Sequence, residues 1–396
     1  EGKNEQLHRM AMFDHLTGLP NRTLLRELFA REAAVARRAN LTLALLFIDL
    51  DHFKQVNDLY GHAAGDELLV TTARRIRDAL RESDLVCRVS GDEFLALLVC
   101  PEGDPQVRVA AERVVAAVQQ PLQLPSATDV VRVGASVGVA FFPGDGADFD
   151  ALMRAADVAM YRSKETGRGR SSFYHPDMDA QLRERLDLER ELSVAIECDQ
   201  LRLHYQPVVD ARDGRIVGCE ALVRWAHPRR GLLSPDAFIP VAESSGLVRP
   251  LGRWVLHAAT AQLAAWHAQG HGGLHMAINV SALQLREAGF VDEVIGASNR
   301  YGLRHGSLML ELTESTLLDD SEGALRAVAA LREAGLMLAV DDFGTGYSSL
   351  AALKLVRPDR LKIDRSFVDD LPGSADDAKL VEAMFGMAVA LGITVV

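Results

Sequence analysis

The sequence predicts an α/β protein in two lobes: an α/β sandwich on one mainly antiparallel sheet, then a (β/α) barrel that lacks its last piece. Three observations carry this. The first half alternates apolar runs with amphipathic stretches and holds a hairpin pattern around Ser90-Gly91-Asp92. The second half repeats strand then helix, with seven strand candidates and no room for an eighth. Between them, residues 177–198 carry dense mixed charge with apolar residues near helical spacing. A length of 396 residues fits two domains.

In chain order, residues 41–48 (LTLALLFI) form an apolar run of buried-strand length that ends abruptly in Asp49 and Asp51. A helix is expected over 66–81, a β-hairpin over 86–99 and a helix over 110–118. A strand follows over 130–142, interrupted by Gly134 and Gly138, then a helix over 152–164 closed by Gly167 and Gly169. Leu182, Leu186, Leu188, Leu192 and Ile196 make 177–198 an amphipathic connecting helix, and equally the first helix of the second lobe. Strands are expected at 201–209, 216–225, 274–280, 308–312, 336–340, 360–363 and 393–396, with helices notably at 251–267 and 321–333. The expected domains are 1–174, a connecting helix 175–200, and 201–396.

At 48% hydrophobic and 25% charged, the composition excludes wholesale disorder. With 43 Lys+Arg against 55 Asp+Glu the formal charge is −12, which argues against a broad nucleic-acid surface, so neither DNA nor RNA is an expected partner. No run approaches the roughly 20 apolar residues of a membrane helix, and the N-terminus has no signal-peptide core. The chain has no initiator Met and stops inside GITVV, so both ends read as cut from something longer. An upstream sensor or membrane segment is expected outside it, with this fragment in the cytoplasm. Cys87, Cys100, Cys198 and Cys219 show no CxxC spacing and read as buried small hydrophobes in a reducing compartment.

Polar residues punctuate the second-half strands. Gln206, Glu220, Asn279, Glu311, Asp341 with Asp342, and Lys362 each lie within or at the end of an apolar strand, where barrel enzymes place their chemistry. Carboxylates brought together repel, so such a ring implies divalent cations, Mg²⁺ or Mn²⁺. In the first half, Asp49 and Asp51 follow one strand while Asp92 and Glu93 sit beside the hairpin turn. Palm-like nucleotidyl transferases hold two metals around a triphosphate in this way, although acids at strand ends also serve as caps.

The wider first-half string is specific. DHLTGLPNR (14–22), FIDLDHFKQVNDLYGHAAGD (47–66), RVSGDEF (88–94) and AMYRSKETGRGR (159–170) together resemble the GGDEF family of diguanylate cyclases over almost all of residues 10–174. The resemblance implies that Asp49 and Asp92 ligate metals and that Glu93 helps activate the attacking 3′-hydroxyl. It implies that Asn57 and Asp66 bind guanine, and that Lys54, Lys164 and Arg168 hold the triphosphate. The first signature glycine is here Ser90. Glycine there permits positive φ and close backbone approach, so serine is expected to weaken GTP binding or turnover without removing a ligand. Upstream, Arg81 and Asp84 fit the family's RxxD product-inhibition site for cyclic di-GMP.

In the second half, YQPVV (205–209), EALVRW (220–225), INVS (278–281), ELTES (311–315), DDFGTGYSS (341–349) and KID (362–364) resemble the EAL family of cyclic di-GMP phosphodiesterases. The resemblance implies that Glu220, Asn279, Glu311 and Asp341 bind one metal, and that Asp342 serves a second. Lys362 positions or deprotonates the attacking water, and Gln206, Arg224 and Asp364 contact the dinucleotide. Glu314 anchors a mobile loop over 343–349, with Gly344 and Gly346 as hinges. The family carries a further glutamate ligand and a closing strand beyond the last residue of this chain.

The leading reading is cyclic di-GMP turnover: hydrolysis to pGpG by the second lobe, and GTP binding with condensation by the first. The alternative is a non-catalytic nucleotide receptor signalling through the 177–198 helix. Receptors of that kind usually lose signature acids; these stand. Condensation needs two GTP-loaded lobes facing each other, so a homodimer is expected.

Overall fold

The computed structural model describes residues 11–127, 129–314, 316, 322–345, 353 and 356–396. The chain divides into two compact units, Glu1–Glu184 and Arg185–Val396.

In the first unit, helix α1 (Arg22–Ala39) is opened by Asn21, whose side chain accepts a hydrogen bond from the Leu24 amide (3.1 Å). Strand β1 (Leu41–Asp51) leads into helices α2 (Phe53–Tyr60) and α3 (His62–Ala79). Strands β2 (Leu85–Ser90) and β3 (Glu93–Pro101) form the expected hairpin, followed by α4 (Gln106–Val118). A small ribbon pairs β4 (Leu122–Gln123) with β5 (Val130–Val131), and then come β6 (Gly134–Phe142), α5 (Phe149–Glu165) and β7 (Ser171–Phe173). The sheet order is β2-β3-β1-β6-β7, antiparallel except between β6 and β7.

Period-two alternation explains how β1 can be apolar throughout. Ala44, Leu46, Ile48 and Leu50 enter one core with residues of α3 and α4, whereas Leu43, Leu45 and Phe47 enter the other with residues of α1 and α5. Each fully buried leucine there stabilises the fold by roughly 1.5–3 kcal/mol. The same alternation puts Asp49 and Asp51 on the α5 side. The strand outruns its apolar run because both acids stay in the ladder, Asp49 opposite Glu93 and Asp51 opposite Gly134. The single strand expected over 130–142 is instead two: β5 pairs with β4, and the chain joins the main sheet only at Gly134.

Helix α6 (Asp177–Glu197) runs across the division between the units. Its Leu188, Leu192 and Ala195 pack with Trp225, Phe238 and Leu251, so its C-terminal half belongs to the second unit's core. Strands β8 (Leu201–Val209), β9 (Ile216–His227) and β10 (Gly231–Leu233) precede helices α7 (Pro235–Ser245) and α8 (Val248–Ala268). Next are β11 (His275–Asn279), the short α9 (Ala282–Leu285), α10 (Phe290–Arg300), β12 (Leu308–Thr313) and α11 (Glu322–Glu333). Ser321, expected to open α11, lies outside the described residues. The unit ends with β13 (Met337–Phe343), β14 (Arg360–Ile363), α12 (Ala375–Leu391) and β15 (Thr394–Val395).

These strands form one eight-stranded sheet, not seven strands. The extra one, β10, is three residues long, too short to leave a periodic signal. Strand β9 and β11 to β15 run parallel, giving the wall of a (β/α) barrel-type fold, while β8 and β10 are antiparallel to β9. Cys219, Ala221, Ile278, Leu310, Leu312, Leu338 and Val340 join the core shared with the helices. Their alternates Ala277, Met309 and Ala339 form a separate inner cluster. Glu220, Asn279, Glu311 and Asp341 fall on that inner face by the same period. Among the described residues no helix is long and apolar enough to cross a membrane. Cys87, Cys100 and Cys219 are buried, but Cys198 is exposed, because it follows the last turn of α6.

Candidate functional site

The second unit gathers acids from β9, β12 and β13 around a lysine on β14. Register aligns Glu220 with Ala277, Asn279 with Glu311, and Asp341 with Thr313. Carboxylate oxygens of Glu220, Glu311 and Asp341 all lie within 4.8 Å of one another. At their focus, Lys362 Nζ donates to Glu220 Oε2 (3.0 Å), Glu311 Oε2 (2.6 Å) and Asp341 Oδ2 (2.9 Å). Three donors meet three acceptors, which uses the full capacity of an ammonium. Asn279 Nδ2 donates to Glu220 Oε1 (2.7 Å).

Burial, then repulsion from Glu220, pushes the Glu311 carboxyl up to about 8. Burial works against the Lys362 charge, yet Glu311, Asp341 and Glu220 around it raise its pKa above the ordinary lysine value. An all-oxygen donor set this crowded, already gathered around one cation, suits a hard divalent ion.

Among the described residues Asp342 makes no hydrogen bond to Lys362, and it lines the cleft beside this focus with Asn279 and Glu311. The β13–β14 ladder slips between Val340 and Phe343, and Asp342 takes φ +52°, a left-handed conformation that Asp tolerates. Its carboxyl is raised by burial and by the neighbouring charges of Asp341 and Asp364, with Asp364 also hydrogen-bonded to it. A cleft of about 500 Å³ opens beside these acids, lined by Leu222, Val223, Pro240, Val255, Asn279 and Glu311 among others. Gln206 lies opposite Glu220 across β8–β9 and is exposed, whereas Arg224 is half-buried with Nη1 on the Val223 carbonyl (2.9 Å). Buried Glu314 accepts from the Gly344 amide through Oε2 (3.2 Å), at a glycine with φ +102°. Ser315 and residues 346–349 of the expected motif and loop lie outside the described residues.

The first unit holds its acids on the sheet edge near the β2–β3 turn. Lys164 Nζ, from α5, bonds Asp49 Oδ1 (2.7 Å). Burial raises the carboxyls of Asp49 and Asp92 above the usual range, against the pull of Lys164. Ser90 Oγ donates to Glu93 Oε2 (3.0 Å). The turn's positive φ falls on Gly91 (+50°), so the serine at position 90 imposes no backbone strain. Asn57 rests against Gly65, the residue before Asp66: a Cβ at 65 would lie 2.0 Å from Asn57 Oδ1. Lys54, Asp66 and Arg168 are exposed on the surface. Arg81 and Asp84 meet through the main chain, the Arg81 amide donating to Asp84 Oδ2 (2.9 Å), and both line a small cleft with Arg113 and Asp104.

The sequence reading named Asp51 only as a strand-end acid beside Asp49, and it missed the parts played by Arg88 and Asp157. Asp51 is buried and accepts from Ser136 Oγ (2.7 Å) and the Gly169 amide (3.0 Å), tying the loop that carries Arg168 to β1. Arg88 pairs with Asp14 (3.0 Å) and donates to the Gly91 carbonyl (2.7 Å), bracing the turn before Asp92. Asp157, on α5, is raised by burial and by the charges of Glu93 and Asp49. Helical spacing was the available signal for Asp157, since it precedes Lys164 by two turns on one face.

Comparison with known proteins agrees with this architecture. Residues 189–396 match the family model of the EAL domain, and residues 11–170 match that of the diguanylate cyclase GGDEF domain. MucR of Pseudomonas aeruginosa, a bifunctional diguanylate cyclase/cyclic di-GMP phosphodiesterase, is 42% identical over 393 residues, covering 99% of this chain and 57% of its own length. NbdA of the same organism, a cyclic di-GMP phosphodiesterase, is 42% identical over 390 residues, 98% of this chain and 49% of its own. The chain therefore spans about half the length of these curated relatives. The solved PaMucR phosphodiesterase in complex with c-di-GMP is similar with TM-score 0.51 and 43% identity, over 53% of this chain and 85% of that one. The chain belongs to the EAL domain family and carries a diguanylate cyclase GGDEF domain in tandem ahead of that domain.

Proposed function

We propose that the second unit hydrolyses one phosphodiester of cyclic di-GMP to give linear pGpG, and that the first unit binds GTP and condenses two molecules into cyclic di-GMP. The observation that carries the reading is the convergence of Glu220, Glu311 and Asp341 on Lys362. In this reading Glu220, Asn279, Glu311 and Asp341 hold one Mg²⁺ or Mn²⁺, and Asp342 serves a second. Such ions neutralise the phosphodiester and acidify the attacking water. Lys362, charged in this geometry, orients water and balances the acids. Gln206, Arg224 and Asp364 seat the dinucleotide, with the adjoining cleft receiving part of it. Glu314 holds the loop at Gly344 in place.

In the first unit Asp49 and Asp92 hold a cation together with the triphosphate, which Lys54, Lys164 and Arg168 grip. Metal bound by one or two carboxylates plus substrate phosphates is the usual habit of Mg²⁺. Asn57 and Asp66 read the guanine, and Glu93 takes the proton of the attacking 3′-hydroxyl. Arg81 and Asp84 bind the cyclic product and restrain its synthesis. Joining two GTP molecules requires two first units face to face, so the protein works as a homodimer, in the cytoplasm.

Product analysis tests this directly. The full-length protein is supplied separately with GTP and with cyclic di-GMP, in Mg²⁺ and in Mn²⁺. Formation of pGpG and of a GTP-derived cyclic dinucleotide is expected; binding of both nucleotides without turnover would leave a receptor and overturn the enzyme reading.

A further inference from the structure

We propose that Ser90 is a positioning residue for Glu93 in the condensation of GTP, so that serine in place of the signature glycine is a working part of this site; this rests on the cyclase reading of the first unit. Ser90 is the last residue of β2 and stands directly opposite Glu93. The ladder slips between Arg88 and Ser90, a local irregularity of the kind that re-aims a side chain. Its hydroxyl reaches Glu93 Oε2 at 3.0 Å. A glycine has no atom with which to make this bond.

The mounting is firm on both sides. Arg88 holds the Gly91 carbonyl through Nε (3.1 Å) and Nη2 (2.7 Å), and is itself held by Asp14. Asp14 in turn accepts from the Thr17 amide (2.8 Å) and hydroxyl (2.6 Å). Glu93 needs such an anchor because its neighbours carry its own sign: Asp92 is adjacent, Asp49 lies opposite across β1–β3, and Asp157 senses its charge. Repulsion from three carboxylates would favour rotamers that swing a long glutamate outward, and one donated hydrogen bond opposes this.

In the reaction, the 3′-oxygen of one GTP forms a bond to the α-phosphorus of the other. Pyrophosphate leaves, and the 3′-hydroxyl proton passes to the Glu93 carboxylate. Ser90 keeps its own proton, occupying Oε2 and directing Oε1 at the nucleophile. Its contribution therefore belongs to turnover rather than to GTP affinity.

The test uses the full chain with Mg²⁺ and labelled GTP, counting cyclic di-GMP and pGpG together so that hydrolysis cannot hide synthesis. Ser90→Ala and Ser90→Gly should each lower kcat about three- to tenfold with KM for GTP unchanged, the size expected for one ordinary, solvent-accessible hydrogen bond. Ser90→Thr, which restores the hydroxyl, should recover most of the rate, and hydrolysis of added cyclic di-GMP should be equal in all variants. An unchanged kcat in Ser90→Ala, or a raised KM with kcat intact, overturns the proposal while leaving the cyclase reading standing. A wild-type chain that hydrolyses cyclic di-GMP but makes no dinucleotide from GTP overturns both.

Discussion

The two acid clusters solve one problem with opposite strand geometry. In the first unit Asp49 and Glu93 face each other across antiparallel β1 and β3, and a single helix-borne cation, Lys164, reaches Asp49. In the second, three parallel strands, β9, β12 and β13, each deliver an acid to the same face, and a fourth, β14, supplies Lys362 to all three. The first cluster is an open edge with one acid paired to a lysine, and the second is a closed focus in which three acids share one.

The largest expected effect separates the clusters by reaction. Glu220→Gln should lower cyclic di-GMP hydrolysis on the order of 10²–10⁴-fold and leave GTP-derived product unchanged, whereas Asp92→Asn should do the converse. Equal loss of both activities from either variant would mean the sites are not separate.

Stability gives the next contrast. Lys362→Met strands three inward carboxylates and should cost about 3–5 kcal/mol of unfolding free energy in the presence of a chelator, recovered in part by Mn²⁺. Lys164→Met, at the more exposed edge, should cost roughly 1–2 kcal/mol. Urea titrations giving equal losses would erase the distinction between focus and edge.

A third effect lies beneath the second cluster. His275 Nε2 accepts from Arg360 Nη1 (2.7 Å), and burial, then the Arg360 charge, lowers its pKa from 6.5 to about 4. The unfolded state therefore binds the proton more readily. The stability His275 contributes is complete above pH 6.5 and is lost as pH falls towards 4, an effect on the order of 3 kcal/mol. His275→Gln, which keeps an acceptor for Arg360, should flatten that slope in unfolding free energy between pH 7 and pH 4; an unaltered slope would show that another group titrates.

What could be read from the chain depended on the length scale of the signal. Strands Leu201–Val209 and Arg360–Ile363 have the expected bounds because their apolar pattern and their ladders coincide. Asp49 and Asp51 ended the apolar run but not the hydrogen bonding, so β1 was underestimated at one end. The break before Gly134 depends on a partner at 122–123 that pattern alone cannot assign. At the sites, acids announced themselves by interrupting apolar strands. The bond from Ser90 to Glu93 needed the hairpin register, and that from Gly169 to Asp51 spans 118 residues of sequence.

Two glycines carry a quieter message. At 65 a methyl group would meet the Asn57 amide at 2.0 Å, and at 134 it would meet Asp51 Oδ2 at 2.5 Å. Neither residue has a side chain to donate, accept or carry charge, yet each sets where a polar neighbour can rest. A catalogue of reactive side chains passes over such positions, and Gly→Ala changes that look mild on paper would displace Asn57 and Asp51 from where they now rest.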